Sequence, residues 1–207
     1  MRRIPIWLKC AVTALVILWA IVYWRAHGPQ NFLWFCDVAN FAIAIGLWLE
    51  SPLLVSSQAL SVLLVQILWT ADVAGRALLG SHPVGGTEYM FDPAIPFHLR
   101  LASCFHIAVP PLLVWALWRL GYDGRAWLLQ SAIAWVVLPL SFWLTAPARN
   151  INWVFDPFGR PQTLVEPELY LAALMLAYPL LLYWPTHLVL RRLFSPAPAR
   201  RDRRRAG

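Results

Sequence analysis

The sequence predicts an all-α, polytopic membrane protein with about six transmembrane helices and both termini in the cytoplasm. Of its 207 residues, 60% are hydrophobic and 13% are charged, and the mean hydropathy is +0.58. Soluble domains carry about 25% charged residues. Several apolar runs approach the length of about 20 residues that a helix needs to cross a bilayer. The composition therefore excludes a soluble globular domain.

Six spans follow from the apolar runs and the turn residues between them. The predicted spans cover approximately residues 6–24, 32–49, 52–71, 97–118, 126–145 and 168–189. The breaks contain turn sequences such as HGPQN, ESP and GYDGR. Ser51 and Pro52 suit the N-cap and the first position of the third helix. The first apolar run is long and bulky, and no small-x-small site follows it, which predicts an uncleaved helix rather than a signal peptide. Residues 1–190 then form one membrane domain.

The net charge of +7 arises from cations beside the predicted membrane helices. With six spans the two termini share a side, and that side collects Arg2, Arg3, Lys9, Arg119, Arg125 and the arginines of the tail 191–207. The positive-inside rule places this side in the cytoplasm. We expect a multi-pass protein of the cell membrane, namely the cytoplasmic membrane of a bacterium. The expected partners are membrane lipids, with anionic headgroups at the tail, which is predicted to be disordered. This arrangement does not indicate a nucleic-acid partner.

Two long loops, about 72–96 and 146–167, are predicted to face outward. They contain GGTEYMFDPAIPF and ARNINWVFDPFGRP, each with the triplet Phe-Asp-Pro. The side chains of Asp92 and Asp156 can close local turns before the rigid proline. Two interpretations stay open, namely ordered turns that cap the bundle or a lid over a site in the outer leaflet. In the lid interpretation, Asn150 and Asn152 are candidate binding residues.

Polar side chains lie inside the predicted second and third spans, where a charge costs about 2.5–3.5 kcal/mol on insertion scales. Cys36, Asp37 and Asn40 share about a third of the circumference of the second helix. Asp72 lies at the outer end of the third. Such residues usually turn inward and find partners.

The fourth span carries His98, Ser103 and His106 on one arc. At about 1.5 Å per residue, His98 lies near the interface and His106 roughly 15 Å below the outer surface, level with the polar residues of the second span. We expect Pro110-Pro111 to kink this helix below His106 and to free carbonyls that line a cavity. The sequence therefore predicts a polar pocket in the outer half of the membrane.

A purely structural interpretation competes with this pocket. Polar side chains join membrane helices through hydrogen bonds of about 0.6 kcal/mol. Asp72 and His98 would then form an interfacial pair.

If the pocket is functional, three kinds of chemistry are open. Cys36 would be a nucleophile and His106 its base, with Asp37 or Asp72 orienting the imidazole, and the substrate would be a lipid ester. A carrier is a second possibility, because intramembrane ionisable residues mark ion and proton pathways. A metal site is a third, from His82, Glu88, Asp92 and His98. These four lack a spacing such as HExxH, so we expect no metal and no cofactor.

Two stretches, FHIAVPPLLV in the fourth span and NINWVFDPFGRP before the last span, resemble the YwaF-like bacterial integral membrane proteins. That group is similar in turn to the intramembrane hydrolases and acyltransferases of the androgen-induced protein type. Those enzymes use a Thr or Cys on an early span and a His on a later one to act on lipid acyl esters. The resemblance implies His106 as the catalytic histidine and Cys36 as the nucleophile.

Overall fold

The computed structural model describes residues 3–194, and this part of the chain contains helices and no strands. The helices are α1 (Ile6–His27), α2 (Phe35–Trp48), α3 (Pro52–Leu79), α4 (Phe97–Ala102), α5 (Phe105–Leu120), α6 (Ala126–Leu144), α7 (Pro167–Ala177) and α8 (Trp184–Phe194). Because α8 continues to Phe194, the first residues of the predicted tail are helical. The rest of that prediction, residues 195–207, lies outside the described residues.

Five helical segments in the described part are long and apolar enough to cross a membrane. They are α1, α3, the pair α4–α5, α6, and α7–α8 joined by a π-helical segment at Tyr178–Tyr183. Apolar α2 has 14 residues. At about 1.5 Å per residue it is about 21 Å long, less than the roughly 30 Å of a hydrocarbon core. The all-helical membrane class is confirmed, whereas a sixth crossing by α2 stays a prediction.

Helices α1 and α2 form an antiparallel hairpin. The Lys9 ammonium lies 2.7 Å from the Glu50 carboxylate, and the Trp48 indole N–H donates to the Thr13 hydroxyl at 2.8 Å. The hydrogen bond from Lys9 holds the pKa of Glu50 below its usual range. A 3₁₀ turn over Pro29–Leu33 connects the two helices at the other end.

The first and last described residues lie on the same face of the bundle, which we call the termini face. Three contacts define it, Ile4 N with Glu50 Oε1 (3.3 Å), Asp123 N with Ser56 Oγ (3.0 Å) and Tyr122 N with Phe194 O (3.2 Å). The connections over residues 80–96 and 145–166 lie at the opposite end, which we call the loop face.

Helix α3 is the centre of the bundle and packs against α2, α5 and α6. Its predicted start is confirmed, since the Ser51 hydroxyl accepts from Leu54 N at 3.3 Å and Pro52 is the first helical residue. The helix ends at Leu79 rather than near residue 71, so Asp72 lies within it.

The kink expected at Pro110-Pro111 stays a prediction, and the structure shows a break in the fourth span that was not predicted. The fourth span is interrupted at Ser103–Cys104, and α5 runs without a break through both prolines. Pro110 has no N–H to donate to the His106 carbonyl, and the Thr70 hydroxyl lies 3.5 Å from that oxygen. The Thr70 hydroxyl donates its proton to the Gln66 carbonyl of its own helix at 2.8 Å, so the neighbouring helix offers the His106 carbonyl only a long contact.

Candidate functional site

Polar side chains from α1, α2 and the end of α4 meet in the half of the bundle nearer the loop face. The Tyr23 hydroxyl lies 2.7 Å from the Ser103 hydroxyl, and both residues are buried. Asp37, which is 1% exposed, accepts from Asn31 Nδ2 at 2.8 Å and from the Cys36 thiol at 3.5 Å. Asp37 lies in the first turn of α2.

Tyr89 joins this group from the loop that follows α3. Burial raises the pKa of Tyr89 to about 12, and the nearby Cys36 and Asp37 add to this rise. Hydrogen bonds from Ser103 and Trp69 lower the pKa but do not outweigh burial. Its phenol therefore stays protonated at neutral pH and can donate a hydrogen bond. We call Tyr23, Cys36, Asp37, Tyr89 and Ser103 the polar cluster.

A cleft of about 100 Å³ lies between α1, α2 and α5, and its lining is almost entirely apolar. Trp19 and Asn40 carry the polar groups of that lining. Among residues 3–194, the buried Trp19 indole N–H has no hydrogen-bond partner, and the Asn40 amide forms no hydrogen bond either. Two other lining residues, Leu15 and Ala108, are exposed on the lipid-facing side. The cleft thus combines apolar walls with the side chain of Asn40, and the unpaired Trp19 N–H is buried beside it.

The cleft adjoins the polar cluster. The rings of Trp19 and Tyr23 are in contact, with centroids 4.8 Å apart. Asn40 follows Cys36 by four residues, so the two side chains lie on the same face of α2, one turn apart. A molecule that entered the cleft from the lipid side would therefore approach the thiol.

His106 is packed between two aromatic rings rather than against the thiol. Its ring stacks on Trp69 and Phe105, with centroids 4.6 and 4.0 Å apart. Its Nδ1 donates to the Ser103 carbonyl at 2.8 Å. Within the described chain, His106 makes no hydrogen bond to Cys36 or to a serine hydroxyl. The hydrogen bond to the Ser103 carbonyl holds the imidazole in this position. The role of His106 as a base for Cys36 stays a prediction.

Asp72, in α3, binds the loop that follows this helix and is not part of the polar cluster. The expected pairing with His98 is wrong, because the Asp72 carboxylate is bound by the loop at 82–87. Its donors are His82 Nδ1 (2.8 Å), Val84 N (2.7 Å), Gly85 N (2.8 Å) and the Thr87 hydroxyl. His98 is exposed on α4.

The four residues considered as metal ligands do not form a metal site in the described structure. Over residues 3–194, no three His, Cys, Asp or Glu side chains are grouped so that they could hold a metal ion. His82 is bound to Asp72, and Asp92 accepts from Ala94 N at 2.8 Å, which closes the local turn expected before its proline.

The second loop is anchored by its two asparagines. Asn152 Oδ1 accepts from Phe35 N at 2.9 Å, at the start of α2, and its Nδ2 donates to the Leu33 carbonyl and the Ser141 hydroxyl at 2.7 and 3.0 Å. Asn150 binds within its own loop, with Nδ2 donating to the Asp156 carbonyl at 2.7 Å. Both have positive φ, 42° and 54°, which asparagine tolerates better than most residues. These contacts fit the interpretation of ordered turns.

Three members of the site escaped the sequence analysis. Trp19 and Tyr23 lie in an apolar run, and their spacing of four residues, which places them on one helical face, was the available signal. Tyr89 lies in a loop, and no periodic pattern indicates where a loop side chain points.

The chain matches no protein-family model, and comparisons with curated proteins and with solved structures find no match either. The resemblance to the YwaF-like proteins therefore stays a prediction.

Proposed function

We propose that the protein binds a lipid acyl ester in the cleft between α1, α2 and α5. The observation that carries this proposal is the unpaired Trp19 indole N–H in a cleft that Asn40 also lines. A buried donor without a partner costs about 1–3 kcal/mol. A ligand carbonyl in the cleft accepts from the Asn40 amide, and it accepts from the buried indole N–H as well once the Trp19 ring turns to expose that group.

The walls of the cleft favour an acyl ester over a charged ligand. Trp19 and Asn40 are neutral, and the remaining lining residues are apolar. Apolar cavities of about 150 Å³ bind molecules the size of benzene. A cleft of about 100 Å³ therefore holds only the carbonyl and the first carbons of a chain, and the rest of the chain lies in the membrane past Leu15.

Photo-crosslinking tests the binding site. The protein is placed in nanodiscs with a phospholipid whose acyl chain carries a diazirine near the ester, and labelled peptides are mapped by mass spectrometry. We expect labels on α1, α2 and α5, and about tenfold weaker labelling in Asn40→Leu and Trp19→Phe, since one hydrogen bond contributes about 1 kcal/mol or slightly more. Trp7→Phe, on the exposed part of α1, is the matched control and keeps full labelling. Unchanged labelling in both cleft variants, folded by size-exclusion chromatography, contradicts the proposal.

The contact between Cys36 and Asp37 favours a second candidate function, thiol-dependent hydrolysis or transfer of the bound acyl group. The Cys36 sulfur attacks the ester carbonyl carbon while its proton passes to the Asp37 carboxylate. Collapse of the tetrahedral intermediate breaks the ester C–O bond, and the departing alcohol takes the proton from Asp37. Water or a second acceptor alcohol then cleaves the thioester. We assign the proton to Asp37, because this carboxylate and not His106 contacts the thiol.

Turnover of a fluorogenic lipid ester in proteoliposomes tests this reaction. We expect Cys36→Ala and Asp37→Asn to lower the rate by a factor of about 100 or more, as loss of a nucleophile or a general base does. Both variants should still be labelled by the diazirine lipid. Cys104→Ala, whose thiol contacts only the Arg100 carbonyl of its own segment at 3.9 Å, is the matched control. Full turnover by Cys36→Ala excludes the reaction and leaves the binding proposal standing.

A further inference from the structure

A larger apolar groove lies next to the cleft, along the neighbouring face of α1 and between α1 and α2. Its volume is about 640 Å³. The groove is open at Ala20 and Ala44, because their side chains are small, and Phe32 lies near its loop-face end. The groove extends from Thr13 to Arg25, a distance of about 18 Å at 1.5 Å per residue. One leaflet of a hydrocarbon core is about 15 Å thick, so the groove matches the length of one acyl chain.

The loop-face end of this groove carries positive charge. Arg25 lies in the last turn of α1, is exposed and lines the groove. Arg149, from the second loop, donates to the His27 carbonyl at 2.7 Å and so places a second guanidinium near the same end of α1. Within residues 3–194, neither arginine forms an ion pair. Guanidinium groups bind phosphate oxygens through paired hydrogen bonds.

We propose that this groove binds one acyl chain of an acidic phospholipid, with the lipid phosphate at Arg25 and Arg149. The apolar walls and the unpaired cations occur together only at this end of the groove, and that combination matches a lipid with a charged head rather than a neutral ester. The groove adjoins the cleft at Trp19, with Val16 in both linings, but its occupant is a different one and the proposal does not rest on the proposed function.

Lipid exchange in nanodiscs tests the proposal. The protein is placed in phosphatidylcholine nanodiscs that contain increasing fractions of phosphatidylglycerol. The protein is then released into detergent, and native mass spectrometry counts the lipids that remain bound to it. We expect retained phosphatidylglycerol, at least tenfold less of it in the double variant Arg25→Gln/Arg149→Gln, and loss of bound lipid in Ala20→Phe, which fills the groove. Arg160→Gln, an exposed arginine of the same loop face, is the matched control and keeps the wild-type retention.

Three results overturn the proposal. The first is equal retention of phosphatidylglycerol by the wild type and the double variant. The second is displacement of the lipid signal by millimolar inorganic phosphate, which indicates a site for free phosphate. The third is a dimer in place of bound lipid, which indicates that a second copy of the chain covers the groove. Diazirine-ester labelling in the cleft should persist in Arg25→Gln/Arg149→Gln, which separates this test from that of the proposed function.

Discussion

Asp72 joins the central helix to the loop that supplies Tyr89. Its carboxylate is completely buried and is surrounded by donors from the loop that follows α3, two of them backbone N–H groups. Backbone donors in a loop lack the partners that a helix or a sheet would provide. One side chain in α3 thus satisfies the loop, and the fixed loop in turn holds Tyr89 beside Ser103 in the polar cluster.

We expect Asp72→Asn to destabilise the protein and to loosen this loop. The amide keeps the shape of the carboxylate, but its NH₂ group faces donors of the loop and cannot accept from them. The substitution therefore removes a hydrogen bond to a charged group, which contributes about 1.5–3 kcal/mol. Faster hydrogen exchange at Val84 and Gly85, together with a lower midpoint of thermal unfolding, checks this prediction. Asp92→Asn is the control, because Asp92 is exposed and accepts a single bond from Ala94 N. Equal effects of the two substitutions would show that Asp72 does not anchor the loop.

Residue type and helical period predicted part of the candidate site. Cys36, Asp37 and Ser103 were expected in one pocket, because each faces inward on its helix at a similar depth, and the structure places them in one cluster. The choice of His98 as the partner of Asp72 failed for a physical reason. A loop can fold back on the end of its own helix, and this brought His82 to the carboxylate at 2.8 Å.

The helix bounds differ from the predicted ones where local polarity was mistaken for a helix end. The predicted third span stopped near Asp72 because a carboxylate is costly in the membrane. The loop satisfies that carboxylate, so the helix continues to Leu79. The next residue, Gly80, has a φ of 74°, and a glycine in this left-handed conformation commonly terminates a helix. Hydropathy cannot reveal such a tertiary partner.

The break in the fourth span shows the opposite error. The sequence placed the kink at Pro110-Pro111, where the helix loses backbone donors. A hydroxyl of α3 lies close to one of the freed carbonyls, and the chain is interrupted one turn before His106. In the last span, Trp135 donates to the Met175 carbonyl at 2.7 Å, four residues before Pro179, and the helix is π-helical over Tyr178–Tyr183. Proline therefore coincides with a change of helix type in the last span and with none in the fourth.

The arrangement of the whole bundle follows from pairs of helix ends that meet on the termini face. The Lys9–Glu50 pair joins the start of α1 to the end of α2, and the Tyr122–Phe194 bond joins the end of α5 to the end of α8. Each successive segment must then reverse direction. The six-span prediction requires in addition that the short α2, together with its 3₁₀ turn, reaches both sides of the membrane.

Cysteine labelling of intact cells tests this topology. Single cysteines are introduced as Gln30→Cys, Leu49→Cys, Gly124→Cys and Arg160→Cys in a background without the native thiols, which are Cys10, Cys36 and Cys104. All four positions are exposed, and a Cβ at Gly124 meets no atom within 4 Å. The positive-inside rule predicts that a membrane-impermeant maleimide labels the two loop-face positions, residues 30 and 160. The two termini-face positions, residues 49 and 124, should react only after lysis.

The pattern of labelling distinguishes the alternatives to six crossings. If residues 30 and 49 are labelled from the same side, α2 does not cross the membrane, and the polar cluster would lie closer to that surface than we infer. If all four positions reverse their accessibility, the helices are correct but the termini face outward. In that case, the cleft at Trp19 and Asn40 would receive lipid from the cytoplasmic leaflet. Only the predicted pattern places the polar cluster in the outer half of the membrane, where a lipid ester of the outer leaflet reaches Cys36.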